Sequence, residues 1–475
     1  MSDGEKKRPG GCRSCFMGVL SALAFVVILV TVFYVKSSRY NPYMPPLIPM
    51  PVPNGNDNYE AAGIMLNANG GADSIYNRGN SSVNEQTDIS LAGEKKVVSL
   101  NQPAIKEMHK AFGKQCRAGG RLTGMVFPKF ANIRPLSLLL MADADVRMNS
   151  GDYSGAFTDG LDTMQMASDI SRGGLSMHLF MRGRCESYAQ HSMLKSLDHL
   201  TVSECTTYLA RLQQIMLNTP PREDNLQEDR AYWLNCIKTR SMKDFYADLG
   251  FKEFPPVVSL GEIGWRILNE QTLREIERLY AETIDNNRKP STRRRIIPHP
   301  TSPYLSFLPF EMNDFLNALD LYDARKRLLL AALAICKYKL EHNRLPDSLS
   351  QLSLPGELTT DPYNGKQIIY KPAGGDYLLY CVGPDGKDNG GSPVDENYQP
   401  SSVKGDIGLL SYNFNAGKPW KYYSQPVPHM KASILTQEEK WHLNHPGNQQ
   451  RGGMMPGSGM TSRPVGNRGG PVGNK

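Results

Sequence analysis

The run Phe16–Val35, FMGVLSALAFVVILVTVFYV, carries no charged residue and constrains the chain more than any other feature. At 1.5 Å rise per residue, a helix of this length covers ~30 Å, the thickness of a bilayer's hydrocarbon core. A secretory signal peptide would have a shorter apolar region of ~7–15 residues, closed by small residues at a cleavage site. This run closes on the bulky Phe33, Tyr34 and Val35 instead. The expectation is an uncleaved signal-anchor, a single-pass transmembrane helix over 16–35. Lys6, Lys7, Arg8 and Arg13 precede it, against Lys36 and Arg39 just after it. The positive-inside rule therefore places residues 1–15 in the cytoplasm and the C-terminal body outside the cell membrane.

The net charge of +7 is gathered at the two ends. Residues 1–39 hold six Lys/Arg against Asp3 and Glu5, and residues 412–475 hold eight against Glu438 and Glu439. Subtracting +4 and +6 leaves about −3 on the body, which argues against a nucleic-acid-binding surface there. Cys12 and Cys15 form CRSC just before the span, and no second pair completes a zinc site; a free or lipid-modified thiol is the simpler reading. Cys116, Cys185, Cys205, Cys236, Cys336 and Cys381 are scattered through the body, and their spacing selects no disulfide pairing over free thiols.

Residues 36–56 form a proline-rich linker, with six prolines between Asn41 and Asn56, which favours extended structure and a semi-rigid spacer off the membrane. Residues 57–310 read as a helical extracytoplasmic domain. A short helix is expected over 59–66, a loop rich in Asn, Gly and Ser over 67–99, and helices over 102–117, 136–149, 153–172, 175–200, 202–217, 222–247 and 260–285. Ala144, Gly151, Tyr153 and Ala156 place small residues on either side of a turn glycine, the arrangement of a tetratricopeptide-like helical hairpin. Five prolines around Arg293, Arg294 and Arg295 break the pattern over 286–310, where the three arginines read as a solvated run, with a contact patch as the alternative. Residues 311–411 hold a long helix, Glu311–His342, followed by a β unit. The helix is apolar on all sides over LLLAALAIC, Leu328–Cys336, as a buried helix would be. Pro346 stops it, and the β-rich runs 367–371 and 376–382 are joined by PAGG as a hairpin. Residues 412–475 are a basic tail with too little apolar content to fold. The fold class is thus mostly α, with a small antiparallel sheet near the C-terminus.

The order KYKLEHNRLPDSLSQL, DPYNGKQIIY, GDYLLYCVGPDGKDNGG and GDIGLL over 337–410 resembles the C-terminal region of the type II secretion major pseudopilin. The body, including DLYDARKRLLLAALAICKYKL, is similar to that of membrane-anchored bacterial proteins of unassigned function with the same ending. The resemblance implies a helix, a proline stop, an Asp-Pro-aromatic turn and a small antiparallel sheet closed by an acidic glycine-rich loop. In the major pseudopilin that loop binds calcium, which makes Asp385, Asp388 and Asp406 candidate ligands here, with carbonyls near Val382. The alternative is an ordinary turn whose aspartates cap backbone groups. An EF-hand is excluded by Lys387 at a ligand position. The glutamate that pilins carry early in the membrane helix is missing from 16–35, so a pilus subunit is not expected.

No known catalytic motif occurs. Ser192 and Lys195 form a Ser-x-x-Lys without its SDN and KTG companions, and His178, His191 and His199 lack metal-ligand spacing such as HExxH. The expectation is a membrane-tethered extracytoplasmic protein, bound to lipid through 16–35 and to a protein partner in the cell envelope. It acts as a non-enzymatic interaction or scaffold component, in a secretion setting by analogy. The alternative is an envelope hydrolase whose site is assembled from residues distant in sequence.

Overall fold

The structure, a computed structural model, describes residues 12–68, 91–119, 127–239, 261–302, 305, 312–373, 375–392 and 405–409. Side chains within helices are not described at 12–16, 33–34, 36–39, 127–132 and 261–268. The described chain is mostly helical, with one three-stranded antiparallel sheet near its C-terminal end. Helices α1 Cys12–Arg39, α2 Gly55–Ala68, α3 Leu91–Leu100 and α4 Gln102–His109 come first. There follow α5 Phe127–Asn149, α6 Tyr153–Ser171, α7 Ser176–Ser196, α8 Val202–Asn218, α9 Arg222–Thr239, α10 Gly261–Asn287 and α11 Met312–His342. Strands β1 Ile369–Ala373, β2 Asp376–Cys381 and β3 Ile407–Gly408 complete the order.

The segment expected to span a membrane is helical within α1, which runs for 28 residues. Among the described residues, no helix is long and apolar enough to cross a membrane; the unbroken stretch of described side chains in α1 is 17–32. Every large apolar side chain there is exposed or half-buried, from Met17 at 64% to Val32 at 56%. Immediately after α1, which packs against α10, Tyr40 donates a hydrogen bond to Glu277, and the Arg274 guanidinium lies 4.2 Å from its ring centre.

Two cores organise the body. One joins α2, α3 and α4 to α5 and α6 around Tyr59, Leu66, Met108, Leu139 and Ile170. The other joins α6, α7, α8, α11 and the sheet around Phe157, Met193, Leu212, Leu329 and Leu379. Helix α11 is central to the second, with Leu328 through Leu333 and Ile335 all fully buried. This is what an apolar run without a polar face dictates, because water offers it no favourable side. The helix ends at Asn343, which takes the left-handed conformation (φ 51°) that suits asparagine after a last helical turn. The sheet has the order β1-β2-β3, with Ile369 opposite Tyr380, Ala373 opposite Asp376 and Cys381 opposite Ile407.

The turn between α5 and α6 follows the expected chemistry. Gly151 has φ +83°, Asp152 caps α6 by accepting from the Gly155 amide at 2.8 Å, and Ala144 and Ala156 are fully buried. Elsewhere the elements differ from expectation. The segment 67–99 was expected as loop, yet Leu91–Leu100 is helical and buries Val98; the helix formers of LAGEKKVVSL were outweighed by the Asn/Gly/Ser bias around them. The helix expected over 102–117 ends at His109 and gives way to Gly113 at φ +80°. Helix α5 starts at Phe127 and carries Pro135 inside it, so one missing amide donor does not end it where the proline suggested. The expected end of α9 at 247 and the tail 412–475 lie outside the described residues.

Candidate functional site

The resemblance-derived residues do come together. Asp385, Asp388 and Asp406 lie in and beside the loop that follows β2, and each carboxylate accepts from nearby donors. Asp406 accepts from the amides of Asn389 at 3.0 Å and Gly391 at 2.7 Å. Asp388 accepts from the Tyr380 hydroxyl at 2.7 Å, the Gly390 amide at 2.9 Å and the Lys371 ammonium at 3.1 Å. Asp385 accepts from the Lys387 amide at 3.0 Å and the Asn389 side chain at 3.1 Å. Hydrogen bonding from Tyr380 and the Gly390 amide holds Asp388 below the usual carboxylate range, whereas burial pushes Asp406 up. A cation among these groups would compete with an ammonium and a set of N–H donors, so the donor set does not fit calcium as arranged. Among the described residues, no group of three or more His, Cys, Asp or Glu is placed to hold a metal ion.

The Asp-Pro-aromatic turn, by contrast, is a built junction. Asp361 is fully buried and accepts from the amides of Tyr363 at 2.8 Å and Val382 at 2.7 Å, tying the turn to the end of β2. The amides of Ser291 and Thr292 donate to the carbonyls of Pro362 and Tyr363, which fastens the proline-rich segment to the same turn.

Two charged clusters were not foreseen. The first lies where α4, α5, α6 and α8 meet. Asp162 accepts from His109 Nε2 at 2.8 Å and from Arg211 Nη2 at 2.5 Å. One helical turn away on α6, Asp159 faces Arg147 Nε at 2.9 Å, and the same guanidinium reaches Asp152 at 3.0 Å and Asp143 at 3.6 Å. The side chains of Asp143, Asp159 and Asp162 are 8%, 6% and 7% exposed, while those of His109, Arg147 and Arg211 are 42%, 38% and 31% exposed, so the latter three cover the carboxylates. Burial, and next the Asp143 charge, pushes Asp159 up to about 8, against the opposing pull of Arg147. A carboxyl raised in this direction holds its proton to higher pH than an ordinary one, the property a general acid requires.

The second cluster is sealed between α7, α9 and α11. Arg222 binds Asp320 at 2.9 Å and Asp323 at 2.6 Å, and Arg294 holds both oxygens of Asp320 at 2.5 and 3.0 Å. Lys326 pairs with Glu186 at 2.8 Å and approaches Asp323 at 3.4 Å. Burial alone would raise Asp323, but Arg222, Lys326 and Arg327 hold it far below the usual range. Arg294, expected to be solvated with its neighbours, is therefore a buried partner of the long helix, with a side chain 9% exposed. Its bidentate geometry suits a guanidinium, and Arg222, Arg294 and Lys326 are each paired with a carboxylate of the cluster. That makes it structural.

The motif candidates do not assemble. Ser192 is buried and donates to the Ala189 carbonyl within its own helix. His178 is half-buried, accepts from the Leu175 amide at 3.0 Å, and is pushed down to about 4 by loss of solvent. His199 stacks on Tyr153 at 3.6 Å. The six body cysteines are free thiols. The i,i+3 spacing of Asp159 and Asp162, and the i,i+4 spacing of Asp143 and Arg147, were the visible signals of the first cluster. Its contributions from His109 and Arg211 had none. No family model, curated protein or solved structure matches the chain.

Proposed function

We propose that this chain is a membrane-tethered extracytoplasmic protein. In this reading residues 16–35 cross the membrane once, the N-terminus is cytoplasmic, and the helical body serves as an interaction or scaffold surface in the cell envelope. The observation that carries the reading is an uncharged twenty-residue run held as a helix whose described apolar side chains turn outward rather than into a core. Supporting a binding rather than a chemical role, the ion pairs of the second cluster tie α7, α9 and α11 together. The tetratricopeptide-like reading draws support from the α5–α6 turn, with its positive-φ glycine and buried flanking alanines. The pseudopilin-like reading draws support from Asp361, the long helix and the three-stranded sheet, and it is the basis for a secretion-associated setting. The test is extraction and proteolysis of native cells. The protein is expected to stay with the membrane in alkaline carbonate, and its body to be cut by protease added to spheroplasts. Release by carbonate, or a body protected in intact spheroplasts, would refute the tether.

The loop of Asp385, Asp388 and Asp406 acts in this account as a self-capped turn closing the sheet. A calcium chelator is expected to leave the melting temperature unchanged. A fall on chelation that Asp385→Ala abolishes would instead assign a structural calcium there.

A second reading is favoured by Asp159. A carboxyl pushed up to about 8, one helical turn from the His109–Asp162 pair near the surface, forms an acid–base set for an envelope hydrolase. The Asp159→Asn variant below separates the two readings.

A further inference from the structure

Residues 40–56 contain no charged side chain, so the uncharged character of the anchor resumes immediately beyond Lys36 and Arg39. The sequence alone suggests a spacer, but both ends of this segment are fastened to the body. At one end Tyr40 and Asn41 are held by Glu277 and Lys238, with Pro42 buried. At the other, the buried Asn54 donates to the Arg117 carbonyl at 3.0 Å and accepts from the Arg117 amide at 3.0 Å, and the Gly55 amide donates to Gln115. Between these fastenings Tyr43, Leu47, Ile48 and Val52 are exposed at 69%, 57%, 53% and 96%. A strap fixed at both ends that shows four large apolar side chains to water incurs a solvation cost that the fold does not relieve.

We infer that this strap, Tyr43–Val52, seats in the headgroup region of the same bilayer that holds α1. Three observations choose lipid over a protein partner. The strap begins within a few residues of the anchor, and Tyr40 fixes it to α10, against which α1 itself packs. Its composition of tyrosine, aliphatic residues and no charge matches what partitions into a membrane interface. Pro42, Pro45, Pro46, Pro49, Pro51 and Pro53 carry no amide donor, which removes much of the cost of placing non-helical backbone in a poorly hydrated layer. The body then lies on the membrane instead of standing off it, held by the anchor and the strap together.

The inference rests on the membrane reading, and one experiment keeps the two apart. The full chain, carrying the photo-crosslinker p-benzoylphenylalanine at Val27, Leu47 or Leu340, is reconstituted in zwitterionic phosphatidylcholine vesicles, irradiated and analysed by mass. Leu340 is an apolar residue exposed near the far end of α11 and serves as the reference. Lipid adducts are expected at Val27 and at Leu47 in comparable yield, and none at Leu340. An adduct at Val27 with none at Leu47 overturns the seated strap and leaves the anchor standing. Crosslinking of Leu47 to a second copy or to the body overturns it as well. No lipid adduct at Val27 refutes the membrane reading itself.

Discussion

Asp320→Ala lowers the melting temperature of the full chain in detergent by on the order of 10 °C, from a loss of roughly 3–5 kcal/mol. Asp320 is 1% exposed and is the shared acceptor of Arg222 and Arg294. Removing it takes the carboxylate from Arg294 and leaves Arg222 with Asp323 alone, and the cost of an uncompensated buried charge exceeds that of a lost methylene. The mechanism makes a second demand. Replacing Asp320 and Arg294 together by Leu and Met recovers most of the loss, because Arg222 keeps Asp323 and no charge is then stranded. Asp347→Ala, which breaks the exposed pair with Arg344, leaves the melting curve where it was. A melting temperature for Asp320→Ala within about two degrees of wild type would mean that water reaches the cluster and screens it.

Asp159→Asn raises stability at pH 8 and has no effect at pH 4. In the folded chain burial lifts this carboxyl to about 8, whereas in the unfolded chain it titrates near 3.9. Its folded value is raised, so the stability it provides is fully present below about pH 4 and is lost as pH rises towards 8. At about 1.4 kcal/mol per pH unit across that window, the ceiling on the loss is on the order of 5 kcal/mol. Asparagine resembles the protonated carboxyl and carries no charge to strand, so the variant's stability runs flat where the wild type falls. Melts at pH 4, 6 and 8 check this, and a variant less stable than wild type at pH 8 would refute it. The same variant decides the second functional reading. A proton donor replaced by asparagine gains stability and loses turnover of p-nitrophenyl esters or glycosides, whereas a purely structural carboxyl moves only the first.

The sequence made legible several features that depend on local pattern, though not the helix Leu91–Leu100. The buried long helix followed from an apolar run with no polar face, its end from Pro346, and the hairpin from two β-rich runs around PAGG. The tight α5–α6 turn followed from Gly151 and the small residues around it. What remained hidden was created by the tertiary fold. Asp320 and Arg294 are separated in sequence by a proline-rich segment, and nothing in RRR marks its middle cation of 293–295 as the buried one. His109 and Arg211 reach Asp162 from two helices whose meeting no periodicity foretells. The acidic loop shows the converse. Its three aspartates were legible, but their role depends on Lys371 and on backbone amides that composition cannot aim.

The burial of α11 on all sides has a bearing on the order in which the chain matures. The ribosome releases this helix well before the strands that cover one of its flanks, since β3 ends at Gly408. Until then Leu328–Ile335 has a face without shelter, and the nascent body is sticky for as long as it takes to add those last residues. Completion of the core around α11 therefore waits on the sheet, while the core of α2 to α6 needs no residue from it.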